Sequence, residues 1–469
     1  MSNPDVRFRR TPRGEVGRAR RLARAGCAVT CLAATGLLAA ACGTTAPTAS
    51  ASSPPAGFKP GVLTRKYAGE TITVLGPPWM AMPKSQLAKF TAATGIKVDL
   101  TTIAWDSIHP KIVSSEAAGV APADITNIDW SWVGQFAKTD WYIPLNNWEP
   151  KSLIAGSPVS SIFNVDGKQL GIPYYIDFRG MLVNMTDLHK AGIANPPATW
   201  AQLESDAELL KAKGIVSYPV GVPLSVTEGT STPWYLLTLN SGGSVLTASD
   251  QPAFSGSTSN AGEKALAFEV SLYKKGLIPP GEVDLTDVQT TDLFEAGTVA
   301  FLLSEGPGGL AGIKNPSVSK VAKDQIRFVP DPTAEAGITS KTFGLPGVLA
   351  ITKQATDKPA CALFIYWWDQ LPQEIVQYEN PNMGSLPPES AGLSYLAQKG
   401  MLVDSPDVLA MLPKVGSLFS TGAPEWYPQF STDLASEIQA AVEGTVSPEA
   451  AMSTLAAKTR ALAKAANAA

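Results

Sequence analysis

The chain has 469 residues, 45% hydrophobic and 17% charged, which is too long for one compact core and within the globular range, so pervasive disorder is excluded. Its formal charge of −4 hides an asymmetry: residues 1–41 carry Arg7, Arg9, Arg10, Arg13, Arg18, Arg20, Arg21 and Arg24 against Asp5 and Glu15, a net of +6 that leaves about −10 for the remainder. An acidic body excludes nucleic acid or an anionic membrane surface as the main partner.

In chain order, the basic block is followed by an uncharged Ala- and Leu-rich run from Ala25 to Ala41. A positive segment, a short apolar stretch and small residues form a secretory signal, and the run is better suited to that role than to a spanning helix. Arg20-Arg21 is compatible with twin-arginine export, but the residues after it fit poorly, and general secretion is preferred. The run closes on Leu37-Leu38-Ala39-Ala40-Ala41-Cys42-Gly43, which resembles the lipobox of lipoprotein precursors, with Ala39 where Leu is usual and Leu38 one place further back. That resemblance implies a signal peptide over 1–41, lipidation at Cys42 and a body held on the outer face of the cytoplasmic membrane. Cys27 and Cys31 would leave with the signal, so Cys361 alone remains and neither a disulfide framework nor a Cys-based metal site is expected. Residues 42–68 open on a Ser-, Thr-, Ala- and Pro-rich stretch and are expected to be a flexible tether.

The body then alternates strand-like and helix-like segments. Thr71–Leu75 is a β-branched run, and a helix is expected over Ser85–Ala93, where Leu87 and Phe90 recur at helical spacing before Gly95. Ile96–Ile103 alternates as a strand, Ser107–Ala118 reads as a helix, and Asp124–Ile128 as a third strand. This order predicts βαβ units and a mainly parallel sheet. Further strands are expected at Met181–Asn184, Val299–Leu303 and Gly347–Ile351, with helices at Trp200–Lys213, at Pro359–Trp368, and from about Ser431 to the C-terminus. The fold class is α/β, in two lobes.

Five segments carry a resemblance that spans about residues 70–440. They are Thr94-Gly95-Ile96-Lys97-Val98, Gly171-Ile172-Pro173-Tyr174-Tyr175 through Leu182-Val183-Asn184, Ala191-Gly192-Ile193 with Pro196-Pro197-Ala198-Thr199-Trp200 and Leu203, Phe294-Glu295-Ala296-Gly297-Thr298-Val299-Ala300, and Gly344-Leu345-Pro346-Gly347. Together and in this order they resemble the family 1 extracellular solute-binding proteins of ABC importers. The resemblance implies the maltodextrin-binding-protein type of fold, a two-lobed periplasmic-binding-protein type II architecture with a ligand cleft between the lobes. By position it places lobe 1 at 69–172 and 330–405 and lobe 2 at 173–329 and 406–469, with crossovers near Pro173, Val329-Pro330 and 405–410. It further implies a monomer that captures a carbohydrate and passes it to transmembrane importer subunits, without a cofactor.

A sugar offers C–H faces for aromatic stacking and a rim of hydroxyls for amides and carboxylates. Trp79, and the run Asp129, Trp130 and Trp132, follow strands where open α/β sheets bind ligands, and are expected to contact it. Tyr175, Asp177 and Arg179 on the crossover are expected in the site, Asp177 by its match to an acidic ligand residue of the relatives, although Asp177 and Arg179 can equally form a structural pair. Trp234 and Trp426 fall near further aromatic ligand positions of that group. The relatives' stacking tryptophan would fall at Gly308, which leaves Glu305 and backbone in that loop and disfavours a long maltodextrin. Trp200, capped by Thr199, and Trp367-Trp368 read as packing.

No enzyme signature is present: His109 and His189 lack metal-ligand spacing, and the chain has neither a nucleophile elbow nor a phosphate-binding loop. A glycoside hydrolase using Asp129 and Asp177 is one alternative. A polyamine or other non-sugar solute, suited to the acidic body, is another.

Overall fold

The computed structural model describes residues 53–468 except 257–259, 309, 311–315, 381–383, 403, 420 and 421. Cys42 and residues 1–41 lie outside the described residues. Among those described, no helix is long and apolar enough to cross a membrane.

Two sheets organise the body. The first runs β2-β1-β3-β9-β4, built from β1 (Thr71–Gly76), β2 (Lys97–Thr102), β3 (Ile125–Asp129), β4 (Ile172–Tyr175) and β9 (Gly347–Ile351). The second runs β8-β5-β7-β6, from β5 (Gly180–Asn184), β6 (Val220–Gly221), β7 (Phe301–Glu305) and β8 (Ile326–Val329). The βαβ expectation holds for β1, which pairs parallel with β2 and β3. It fails where the chain returns from afar: β9 runs antiparallel to both β3 and β4, and β5 antiparallel to β7 and β8. Each sheet is therefore mixed. All five residues of β3 and of β9 are buried, as expected of strands covered on both faces.

Local signals give the early helices. Lys84–Thr94 ends at Gly95, whose φ of 78° is the left-handed turn that glycine adopts without strain. Trp200–Ala212 starts at Thr199, whose side chain accepts from the Gln202 N–H, and Trp200 stacks on Phe268 at 4.8 Å. Trp367 and Trp368 are core residues, as is the free Cys361. The single long C-terminal helix expected from Ser431 is instead two, Tyr427–Val442 and Pro448–Ala466. Gly444 at φ 80° stops the first; the Ser447 side chain, accepting from the Ala450 N–H, caps the second, with Pro448 at its first position.

The chain leaves the first sheet later than the Pro173 crossover implied. Pro173–Tyr175 still pairs with β9, and the passage to β5 is residues 176–179. The return lies between β8 and β9. The third passage comes earlier than 405–410: helix Leu371–Glu379 sets Val376 against the first core and Tyr378 among Leu182, Leu302 and Phe328 of the second. Leu393, Leu396, Val408 and Met411 share that second core. Residues 53–68, expected to belong to the tether, lie against the body. There Phe58 packs on Trp148 with ring centroids 5.5 Å apart and Arg65 Nη1 donates to the Ala92 carbonyl.

Candidate ligand cleft

The parallel strands β1, β2 and β3 deliver one tryptophan each just past their C-terminal ends: Trp79, Trp105 and Trp130. All three line one cavity of about 610 Å³, a size suited to a small organic ligand. Trp79 is fixed by a relay in which its indole N–H donates to the Tyr174 hydroxyl at 3.1 Å, and that hydroxyl donates to Asn127 Oδ1 at 3.0 Å. Its ring lies 5.2 Å from Trp105 and meets Tyr175 edge-on at 6.4 Å. Trp130 reaches across to the other half, with centroids 5.3 Å from Tyr427 and 5.9 Å from Phe343. Beside it Asp129 is only 3% exposed; its Oδ1 accepts from both the backbone N–H and the hydroxyl of Ser131. Burial pushes the Asp129 carboxyl up to about 8, against the pull of those two donors.

The passage between the sheets supplies the charged floor. Arg179 Nη1 lies 3.4 Å from Asp177 Oδ2 and 3.4 Å from Glu305 Oε1, with all three side chains largely buried. Glu305 also accepts from the Thr291 hydroxyl at 2.5 Å and the Gly306 N–H at 2.7 Å. Burial raises the Asp177 and Glu305 carboxyls and Arg179 opposes it; burial would lower Arg179, but the two carboxylates hold it above its ordinary value. Asp177 is thus both a structural partner and part of the cavity wall. A Cβ at Gly306 would stand 2.1 Å from Asp177 Oδ1, so any larger residue there displaces that carboxylate. At Gly308 a Cβ would stand 2.6 Å from the Gly384 carbonyl, so a tryptophan has no room there.

Trp79, Asp129, Trp130, Tyr175, Asp177, Arg179 and Glu305 therefore meet on one wall system. Three expected contacts do not. Trp132 is 6% exposed and stacks behind Trp105 at 4.9 Å and 19°, because the short turn after β3 sends it toward helix Trp105–Ala117. Trp234 is fully buried, donating its indole N–H to the Gly262 carbonyl, because helix Glu228–Asn240 is buried on nearly every side. Trp426 packs edge-on against Phe430 and is not among the cavity-lining residues.

The sequence reading missed Trp105, Glu228, Asp287 and Glu295, all on the cavity wall. Trp105 carried a usable signal, since it follows β2 as Trp79 follows β1. Asp287, Thr291 and Glu295 repeat every four residues along helix Asp287–Glu295, which marks one polar face. Glu228, first residue of its helix, carried none; its carboxylate accepts from the Tyr427 hydroxyl. Among the described residues no group of three or more His, Cys, Asp or Glu is placed to hold a metal ion.

The comparisons fit this geometry. The family model described as bacterial extracellular solute-binding protein matches residues 80–368. A protein of Brucella abortus (strain 2308) named as a binding protein is 27% identical over 213 residues, 45% of this chain and 50% of that protein, so the match spans half the relative's length. A Sinorhizobium fredii protein named as an amino-acid ABC transporter periplasmic-binding protein is 24% identical over 84% of this chain and 89% of its own. Among solved structures, an ABC transporter solute-binding protein of Thermotoga lettingae bound with α-D-tagatose has a TM-score of 0.75 at 22% identity, covering 84% of this chain and all of its own. One from Agrobacterium radiobacter in complex with ribitol has a TM-score of 0.74 at 19% identity, covering 84% and 99%. Binding proteins of this kind act outside the cytoplasm and are not enzymes, which sets aside the hydrolase alternative. With a matching family model over residues 80–368 and a two-lobed α/β fold around the cavity, the chain belongs to the bacterial extracellular solute-binding proteins.

Proposed function

We propose that this protein captures a carbohydrate, a mono- or short oligosaccharide, and delivers it to the membrane subunits of an importer. The observation that carries the reading is the pairing of walls. Trp79, Trp105 and Trp130 present aromatic rings from the first sheet, while Thr232, Asp287 and Thr291 present polar groups from the second half. Rings suit the C–H faces of a sugar and polar groups its hydroxyl rim. Tagatose and ribitol in the two similar structures are of this chemical class.

The cycle is hinge closure about the passages between the sheets. Ligand favours the closed form only through contacts made better there, so groups from both halves are required. The protein works as a monomer, with a lipid on Cys42 holding it at the membrane. A thermal-shift screen of sugars and polyols, followed by calorimetry, tests the reading. A saturable sugar that also compacts the protein in solution scattering supports it; stabilisation only by amino acids sinks it.

A further inference from the structure

The cavity wall is far more acidic than a neutral sugar requires. It carries seven carboxyl groups and one cationic side chain, Arg179. Asp177 and Glu305 already share that guanidinium. Asp129, Glu228, Asp287, Asp292 and Glu295 have no ion-pair partner among the described residues. Asp129 is the sharpest case: Ser131 satisfies Oδ1, no described donor reaches Oδ2, and the residue is 97% buried on the cavity wall. Burial holds this carboxyl up to about 8, so at neutral pH it is mainly protonated and offers the cavity an unmatched hydrogen-bonding group rather than a charge.

The excess also straddles the cleft. Asp106, next to the wall residue Trp105, belongs to the first half; Glu228 and Asp287 open two helices of the second. These groups feel one another: besides burial, Asp287 raises the Asp106 carboxyl, and both Asp287 and Asp106 raise that of Glu228. Like charges facing each other across a hinge oppose its closing. The helix N-termini soften this, since Asp106, Glu228 and Asp287 each lie in the first turn of a helix, but a dipole that favours each carboxylate singly does not cancel the repulsion among the three. Trp79, Trp105, Trp130 and Tyr175 add π faces beside these carboxylates, the surroundings in which an organic ammonium is held.

We propose that the natural ligand is a carbohydrate bearing a protonated amine, an amino sugar or aminocyclitol glycoside, whose ammonium sits at Glu228 and Asp287 and faces Asp106 as the halves close. This rests on the carbohydrate reading above and narrows it. The cation replaces cross-cleft repulsion with attraction, so it binds tightly and is also what permits closure.

Calorimetry on the protein at neutral pH with disaccharides of one frame tests this: deacetylated chitobiose, N,N′-diacetylchitobiose and cellobiose, with kanamycin as an aminocyclitol and spermidine as a cation without a sugar. The expected result is that chitobiose or kanamycin binds about 30-fold or more tighter than cellobiose and the acetylated disaccharide. That preference shrinks in high salt and collapses in the Glu228→Gln, Asp287→Asn double variant, in which the affinities for chitobiose and cellobiose converge; a preference that survives both changes would overturn the inference. Neutral disaccharides binding as well as the amines would overturn the inference and leave the carbohydrate reading intact. Spermidine binding with no response to any sugar would overturn both. No response to any amine-bearing probe also overturns the inference.

Discussion

Replacing Arg179 with Met removes the cation between two largely buried carboxylates, each 3.4 Å away, while keeping most of the side-chain volume. Either carboxyl escapes the loss by taking up a proton, and that escape caps the penalty. For ordinary unfolded values near 4, protonating both groups costs about 2–3 kcal/mol at pH 5 and roughly three to four times that at pH 8. Losing one partner of a buried ion pair costs about 3–5 kcal/mol. The smaller limit governs at each pH, so destabilisation is about 2 kcal/mol at pH 5 and about 4–5 kcal/mol at pH 8. The sign follows from linkage. Burial already raises both carboxyls with Arg179 present. Removing the cation raises them further above their unfolded values, and stability is lost as pH rises through that window. Urea unfolding of wild type and Arg179→Met at pH 5 and pH 8 measures both differences. An equal loss at the two pH values, or none, refutes the reasoning.

Three further outcomes follow from the same geometry. Trp79→Ala should weaken ligand binding by about 1–3 kcal/mol, whereas Trp234→Ala should cost about 3–5 kcal/mol of stability with little change in affinity of the folded fraction, read by calorimetry and urea unfolding. Gly306→Ala drives a Cβ into Asp177 and should lower affinity at least tenfold by displacing the Asp177–Arg179 pair, with cavity-lining ring fluorescence as a second readout. Glu149, Asp369 and Glu374 form a buried acidic group away from the cleft in which burial first, and for Asp369 and Glu374 the neighbouring carboxyls as well, raises the carboxyls, Glu374 to about 8. Groups raised in the folded state favour folding at low pH, so the melting temperature should fall by about 3–6 °C from pH 5.5 to 8.5, and Glu149→Gln should flatten that slope.

Much of this was written locally. The alternation that gives β1 to β3, Gly95 as a helix stop, Thr199 as a cap and the tryptophans following β1 and β3 all depend on residues within a turn or two of each other. Such signals sufficed to put Trp79 and Trp130 at the end of the sheet where the cavity lies, and applied evenly would have put Trp105 there too. They could not separate Trp130 from Trp132, because two rings two residues apart share every local property. The turn after β3 carries the second ring onto Trp105, and that packing holds it away from the cavity.

The rest needed distant parts of the chain. Trp234 is an aromatic in an apolar run in either role, and burial of its helix on all sides decided for the core. Glu228 and Asp287 read as ordinary acids in the first turn of a helix, a placement the dipole favours anywhere. That they confront Asp106 across a cleft is a property of how two halves meet, more than a hundred residues apart in sequence. Most strands and helices, and many of the side chains at their ends, can be read from nearby residues, because those preferences are set by backbone sterics and nearest neighbours. Tertiary structure alone decided which ends face one another and how much unpaired charge they enclose, because burial and field depend on every group brought into range, wherever it lies along the chain.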